Sequence, residues 1–251
     1  MNSVKVNRKE TGLFSEQQIK MVYDQDYYSD FINQPFDIES FKSQIKEKEK
    51  SFSMEKREKL RDTLLLQYRN TSKLDSVDKS INDLTDPNTF TITTGHQLSL
   101  FTGPLYFIVK ILHVIKMCEE LKEKYPNNNF VPVYWMATED HDFEEIQSCN
   151  LFNQKINWES EQKGPVGRFD LQGIYSAQDK LIELFSNHKD GEISAVIDSL
   201  QGKNYAEAMR SLVHKLFSDR GLVIVDGDDK SLKEMFAPVI KKAIAIPGKA
   251  A

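Results

Sequence analysis

Two short segments hold most of the side chains able to do chemistry. In TEDHDFEE, Glu139, Asp140, His141, Asp142, Glu144 and Glu145 fall within seven consecutive positions. Carboxylates crowded in this way repel one another unless a cation, basic side chains or solvent relieves them. The segment therefore suits a substrate amine, acid–base work, or magnesium arriving transiently with a nucleotide. A carboxylate beside an imidazole favours its protonated form, so His141 could transfer a proton or recognise a substrate carboxylate, with Asp140 or Asp142 fixing its tautomer. On a continuing strand, Asp140 and Asp142 would share one side and His141 the other, so all three converge only if a turn intervenes. The plainer alternative is a capped helix start with Glu144 and Glu145 in solvent. HExxH and its partner histidines are absent, and no resident metal is expected.

The second segment is TTGHQLSLFTGPLYFIVK. Thr93, Thr94 and the backbone around Gly95 offer donors to an anion, and a helix starting near Gly103 and Pro104 would add its positive dipole. The spacing fits neither GxGxxG nor GxxxxGK[ST], so an anion site and a simple strand-to-helix turn both remain open. His96 could act as a general base or stabilise a leaving oxygen. Gln97 can orient a backbone group or a substrate, and Lys110 either points back at an anion or lies in solvent. Arg168 in GPVGRF carries a fixed positive charge that could meet an anionic substrate or a surface carboxylate. Cys118 and Cys149, 31 residues apart, form neither a disulfide framework nor a zinc site, and Cys118 belongs to an apolar helix. Tyr134 and Trp135 read as packing aromatics of a strand.

The elements that must position these residues follow from spacing. TFTITTGHQ is a Thr- and Ile-rich strand delivering Thr93 to Gln97 into a loop, where Gly95 permits tight or left-handed backbone. A helix follows, with Thr102 as cap, Pro104 in its first turn, and an apolar stripe of Leu105, Ile108, Val109, Leu112, Ile115 and Met117. FVPVYWMA has the continuous apolar character of a buried strand and runs straight into the acidic segment. Strand ends and helix starts meet there, the usual ligand crevice of an open α/β sheet. LVIVDGDD supplies a third strand, whose Asp226 to Asp229 can line the same edge, and Ser231 can cap a helix after it. Upstream, Ile38 to Tyr68 predicts one or two helices, SKLDSVDKSINDL a weaker one, and Tyr23, Tyr27, Tyr28, Phe31 and Phe36 an aromatic strap. Helices are also expected at 177–185, 192–200 and 205–217.

The resulting organisation is a strap and helical region over 1–87, the first part of an α/β core over 88–150, a helix-rich insertion or second lobe over 151–203, and a return to the core over 204–251. Three strands are few for a doubly wound sheet, so the core reads as incomplete. The chain has 251 residues, 39% hydrophobic and 28% charged, which fits a globular protein. With 33 Lys and Arg against 38 Asp and Glu, its net charge of −5 offers no general attraction to nucleic acid or anionic lipid. No signal peptide or membrane span is legible, and a cytoplasmic location is expected.

TGHQLSLFTGPLYFIVK followed by FVPVYWMATEDHDFEEI resembles the bacillithiol biosynthesis cysteine-adding enzyme family, with weaker continuity through GPVGRF and LVIVDGDD. The resemblance implies a Rossmann-like nucleotide-binding α/β core with inserted helices, this chain being its N-terminal part. Family members are about twice as long and carry a C-terminal coiled coil, which implies a homodimer. The implied reaction joins cysteine to glucosaminyl-malate, with ATP activating a carboxylate. Thr94 to Gln97, Gly103 and Pro104 would line the pocket, and Glu139 to Asp142 would face substrate amines or orient His141. A nonenzymatic nucleotide- or metabolite-binding module needing a partner or a further segment is the other expectation.

Overall fold

The structure, a computed structural model, describes residues 4–35, 37–71, 74–186 and 191–245. Two units emerge, Met1–Ser51 with Ala243–Ala251, and Phe52–Lys242. The first contains α1 (Arg8–Thr11), α2 (Glu16–Tyr23) and α3 (Phe41–Ser51). Ser15 and Gln18 form a reciprocal capping box at the start of α2, satisfying two N–H groups that the helix cannot bond internally. Tyr27 and Tyr28 meet edge to face at 4.8 Å. Phe36, part of the expected strap, lies outside the described residues, as do Ser72, Lys73 and the C-terminal residues from 246 onward.

The second unit opens with α4 (Met54–Gln67) and α5 (Asp75–Asp83). Then β1 (Thr89–His96), α6 (Tyr106–Lys124) and β2 (Asn129–Met136) form a β-α-β unit. After α7 (Phe143–Ile146) comes an antiparallel hairpin of β3 (Ser148–Leu151) and β4 (Gln154–Asn157). Helices α8 (Ile174–Leu184), α9 (Gly191–Asp198) and α10 (Tyr205–Phe217) lead to β5 (Val223–Asp226) and α11 (Lys230–Ala245). The main sheet has the order β1-β2-β5 and is all parallel. This is the expected α/β architecture, and its three strands are those read from the sequence. The hairpin was not foreseen: its turn places Phe152 (φ 49°) and Asn153 (φ 62°) both in the left-handed region, as a two-residue type I′ turn demands.

Parallel pairing explains Pro132 inside the central strand. Ala137 N–H donates to His96 O, so odd-numbered residues of β2 bond toward β1 and even-numbered ones face β5. The missing N–H of Pro132 therefore faces the β5 side, where pairing starts only at Val133. No ladder bond is lost.

Several local readings need correction. Gly95 and His96 lie within β1 itself, and the left-handed backbone occurs instead at Phe101, Thr102 and Gly103. Gly103 is required: a Cβ there would stand 2.5 Å from Cβ of Ser99. Because α6 begins at Tyr106, Thr102 does not cap it and Pro104 lies just outside its first turn. Its buried side is Phe107, Ile111, Val114, Ile115, Cys118 and Leu121, whereas Leu105, Val109 and Leu112 are exposed. With apolar residues all round this helix, contact with the sheet selects which side is covered. At α11, Asp229 Oδ1 accepts the N–H groups of Ser231 (2.8 Å) and Leu232 (3.2 Å), so Asp229 rather than Ser231 is the cap.

Buried Arg57 ties α4 to the segment that feeds β1. Nη1 donates to the carbonyls of Leu84, Asp86 and Thr89 at 2.9–3.1 Å, and Nη2 donates to Pro87 O at 3.2 Å. Arg57→Met should destabilise the protein by about 3 kcal/mol, because buried carbonyls lose charge-assisted donors. Arg57→Lys should recover only part of this, since one ammonium cannot span the same fan. Thermal unfolding of the three proteins checks both expectations.

Candidate active site

All three parallel strands end level: His96, Met136 and Asp226 form one row in the register. The residues that follow them therefore leave the sheet side by side, which brings together segments 43 and 88 positions apart in sequence. From β1, Gln97 Nε2 donates to Asp140 Oδ2 at 2.8 Å and to Glu145 Oε2 at 2.7 Å. One neutral amide thus holds two carboxylates of the acidic segment. The hydrogen bond from Gln97 is the main reason the Asp140 carboxyl sits below its usual range, helped by the Asp142 N–H donating to Oδ1 at 3.0 Å.

His96 Nδ1 lies 2.9 Å from Gln97 O, and the ring centroid is 5.1 Å from those of both Tyr106 and Phe107. With Nδ1–H donating to that carbonyl, the second nitrogen is left as the acceptor. Burial moves the pKa of His96 below the ordinary imidazole value. The ring is therefore biased toward the neutral form a base requires. Lys110 reaches back from α6, Nζ donating to Gly95 O at 2.6 Å, so its positive charge stands at the end of β1.

The other side of the mouth is built on β5. Thr138 Oγ1 donates to Asp226 Oδ1, and the Asp228 N–H is shared between those two oxygens at 3.0 and 2.9 Å. Asp228 holds Arg168 through Nε (2.5 Å) and Nη2 (3.0 Å), and Lys233 Nζ at 2.5 Å, while Lys233 also meets Glu139 at 3.0 Å. The Arg168 hydrogen bonds are the largest cause of the lowered Asp228 pKa. Gly167 fits because its N–H reaches Thr138 O at 2.9 Å, where a Cβ would stand 2.8 Å from the same oxygen. Beneath them, buried Arg210 donates to Ile224 O (2.6 Å) and Gln67 Oε1 (2.8 Å), and Gln67 Oε1 also accepts from Asp226 N (2.9 Å).

The fold thus gathers Gly95, His96, Gln97, Lys110, Glu139, Asp140 and Arg168 around the strand ends. Arg168 is engaged with Asp228, the ion-pair alternative of its sequence reading. Asp142 accepts the Glu145 N–H at 3.2 Å as cap of α7, and His141 is exposed. The capped-helix alternative is therefore present in the same segment as the Gln97 bridge. Asp140, His141 and Asp142 line an open groove of about 730 Å³ with Ser160 to Gly164. Thr94 lies on β1, on the sheet face opposite Gly95. Gly103 stands apart from the carboxylates and lines an apolar pocket of about 460 Å³ with Phe101, Cys149 and Phe185. That pocket is well formed but has few polar groups, so the strand ends are the stronger site for polar chemistry. Among the described residues, no group of three or more His, Cys, Asp and Glu is arranged to hold a metal. Burial pushes the Cys118 thiol up to about 12, which makes it inert as a nucleophile at neutral pH. Sequence reasoning missed Gln67, Thr138, Arg210 and Lys233, whose roles appear only once distant segments meet.

Residues 1–249 match the family described as bacillithiol biosynthesis BshC, N-terminal Rossmann-like domain. The chain belongs to the BshC family. It is 46% identical over 210 residues to a Flavobacterium johnsoniae protein named Putative cysteine ligase BshC, covering 82% of this chain and 40% of that one. The like-named protein of Flavobacterium psychrophilum is 43% identical over 240 residues, 94% of this chain and 45% of its own. A more distant BshC protein, from Staphylococcus carnosus, is 32% identical over 168 residues, 60% of this chain and 30% of that one. The chain therefore spans less than half the length of these BshC relatives. Among the described residues no helix is long and apolar enough to cross a membrane.

Replacing Gln97 by Leu should move the Asp140 pKa up toward the usual carboxylate value. A depressed carboxyl pKa contributes stability that is present above the unfolded pKa and lost as pH falls through the folded one. The stability gap between Gln97→Leu and the parent should therefore close as pH drops through the folded pKa of Asp140. Carbon-detected NMR titration of the side-chain carboxyls, with denaturation at each pH, tests this. For His96, NMR titration of its imidazole ring resonances should give a pKa below about 6.5. Between that folded value and 6.5 the unfolded state binds more protons, so this group's contribution to stability should rise with pH through that window.

Proposed function

We propose that the strand-end crevice serves a carbon–nitrogen ligase that joins cysteine to glucosaminyl-malate in bacillithiol biosynthesis, with ATP activating the cysteine carboxylate. The observation that carries this reading is the Gln97 bridge to Asp140 and Glu145 at the level ends of β1 and β2, in a chain of the BshC family. Amide formation needs a deprotonated amine and an activated acyl group. Asp140, held ionised, suits the binding of a substrate ammonium group, and neutral His96 suits the role of base. Glu139 and Arg168 would define the polar rim.

A free carboxylate is a poor acyl electrophile, so ATP has to supply the leaving group. Cations stand near the strand ends, but each is engaged: Lys110 with Gly95 O, Arg168 with Asp228, and Lys233 with Asp228 and Glu139, so phosphates would have to exchange with these partners, while Glu139 and Asp140 could offer oxygens to a transient magnesium ion. The amine of the sugar conjugate would then attack the activated carboxyl carbon, forming the C–N bond as the phosphate-bearing group leaves. A nonenzymatic binding module is the competing reading, and the fact that this chain spans under half of its relatives keeps it in play.

Mass spectrometry of this chain with ATP, magnesium, cysteine and glucosaminyl-malate decides between them, with the full-length Flavobacterium psychrophilum relative as comparison. Product from the chain supports catalysis, and Asp140→Asn should then lower the rate by about 100-fold or more without loss of folding. Saturable binding without product favours the module. An unaltered rate in Asp140→Asn would remove Asp140 from the mechanism.

A further inference from the structure

The apolar pocket beside Cys149 takes no part in the strand-end site. Its volume of about 460 Å³ falls within the range of roughly 300–1,000 Å³ typical of small-molecule sites, whereas well-packed interiors leave few voids larger than a water molecule. One wall is the turn at residues 101–103 with Ile108 of α6, another is β3 from Cys149 to Leu151, and α8, α9 and α10 close the rest. Most of the half-buried apolar side chains at the rim of the core line this one space, among them Phe101, Leu151, Phe185, Ile193 and Val196. Their surfaces are only partly removed from water, so an apolar body that fills the space gains from the burial of both.

Among the described residues of the lining, Glu192 alone carries a charge, and it is exposed in the first turn of α9. A helix dipole favours a carboxylate at such a place whatever else is bound. The surroundings add a second attraction for a cation. Phe185, on the same lining, meets Phe152 edge to face at 5.8 Å, so an aromatic pair and a carboxylate border one opening. Two walls are also held by uncommon backbone: Phe101 (φ 49°) and Thr102 (φ 70°) precede Gly103, and the turn after β3 has Phe152 and Asn153 in the same left-handed region. Such residues cost energy and persist where their surroundings impose them, as ligand clamps often do.

We propose that this pocket binds a small amine with an apolar body about the size of one aromatic ring, the body lying among Phe101, Leu151, Ile193 and Val196 and the ammonium group standing at the mouth against Glu192. The site is separate from the strand ends, and the inference does not depend on the ligase reading.

The probe is 2-phenylethylamine, with 2-phenylethanol and phenylacetate as neutral and anionic molecules of similar size. In backbone amide NMR of this chain, the amine should produce saturable shifts at residues 101–103, 149–151 and 193–197. Phenylacetate should bind about 10-fold more weakly or worse, because Glu192 repels it. Glu192→Gln should weaken the amine about 5-fold, the scale of an exposed ion pair, and leave 2-phenylethanol unchanged. Val196→Trp fills the space from α9 and should remove the shifts with both; if that variant does not fold, Ile193→Trp gives the same reading. Absence of saturable shifts at the pocket overturns the proposal, and so does equal affinity for phenylacetate or equal affinity of the amine for Glu192→Gln. Shifts confined to residues 138–142 overturn it too, since the amine would then follow the acidic segment.

Discussion

Three parallel strands that stop at one level, at His96, Met136 and Asp226, decide where every other polar group of the site can be. The eight-residue register between β1 and β2 leaves Gln97 beside the start of the acidic segment, and the shorter pairing with β5 brings Asp226 beside Thr138. A slip of one residue would turn each side chain to the opposite face and separate these partners. Burial of Tyr134, Met136, Val223 and Ile224 resists such a slip, since each would exchange a core position for a different environment. The core therefore fixes the chemistry through register rather than through direct contact with it.

Charge at the mouth is arranged in alternation. Gln97 separates Asp140 from Glu145, Lys233 bridges Asp228 and Glu139, and Arg168 closes on Asp228. The exposed members of this network contribute little to stability, because solvent screens them. Their value is in fixed geometry: side chains from three strand ends and two helices are held before any ligand arrives, so less ordering remains to be done on binding. The buried Arg210–Gln67 pair extends that order inward, tying the Asp226 backbone to the body of the protein.

Much of this was legible in the sequence because the relevant signals are local. Continuous apolar character gave β2, Thr and Ile enrichment gave β1, and crowded carboxylates flagged Glu139 to Asp142. What was not legible depended on distant partners or on costly backbone. Gln67 and Arg210 are ordinary helix residues until β5 is placed beside them. The hairpin was hidden because Phe152 occupies a left-handed position that phenylalanine seldom takes, so its turn lacks the usual glycine. Gly95 was given a conformational role that belongs to Gly103, since both are glycines in one loop-like segment and only the extent of β1 separates them. The family resemblance was specific because it rested on two long segments in order, and the match over residues 1–249 extends it to nearly the whole chain.

The central claim is that the polar substrates enter at the level strand ends and not at the apolar pocket beside Cys149. Backbone amide NMR during titration with glucosaminyl-malate, then ATP with magnesium, measures this most directly. The account predicts saturable shifts concentrated at Gly95 to Gln97, Thr138 to Asp142 and Gly227 to Asp228. Shifts confined to Phe101 to Gly103, Cys149 to Leu151 and Ile193 to Ile197, with the strand ends unmoved, would contradict it.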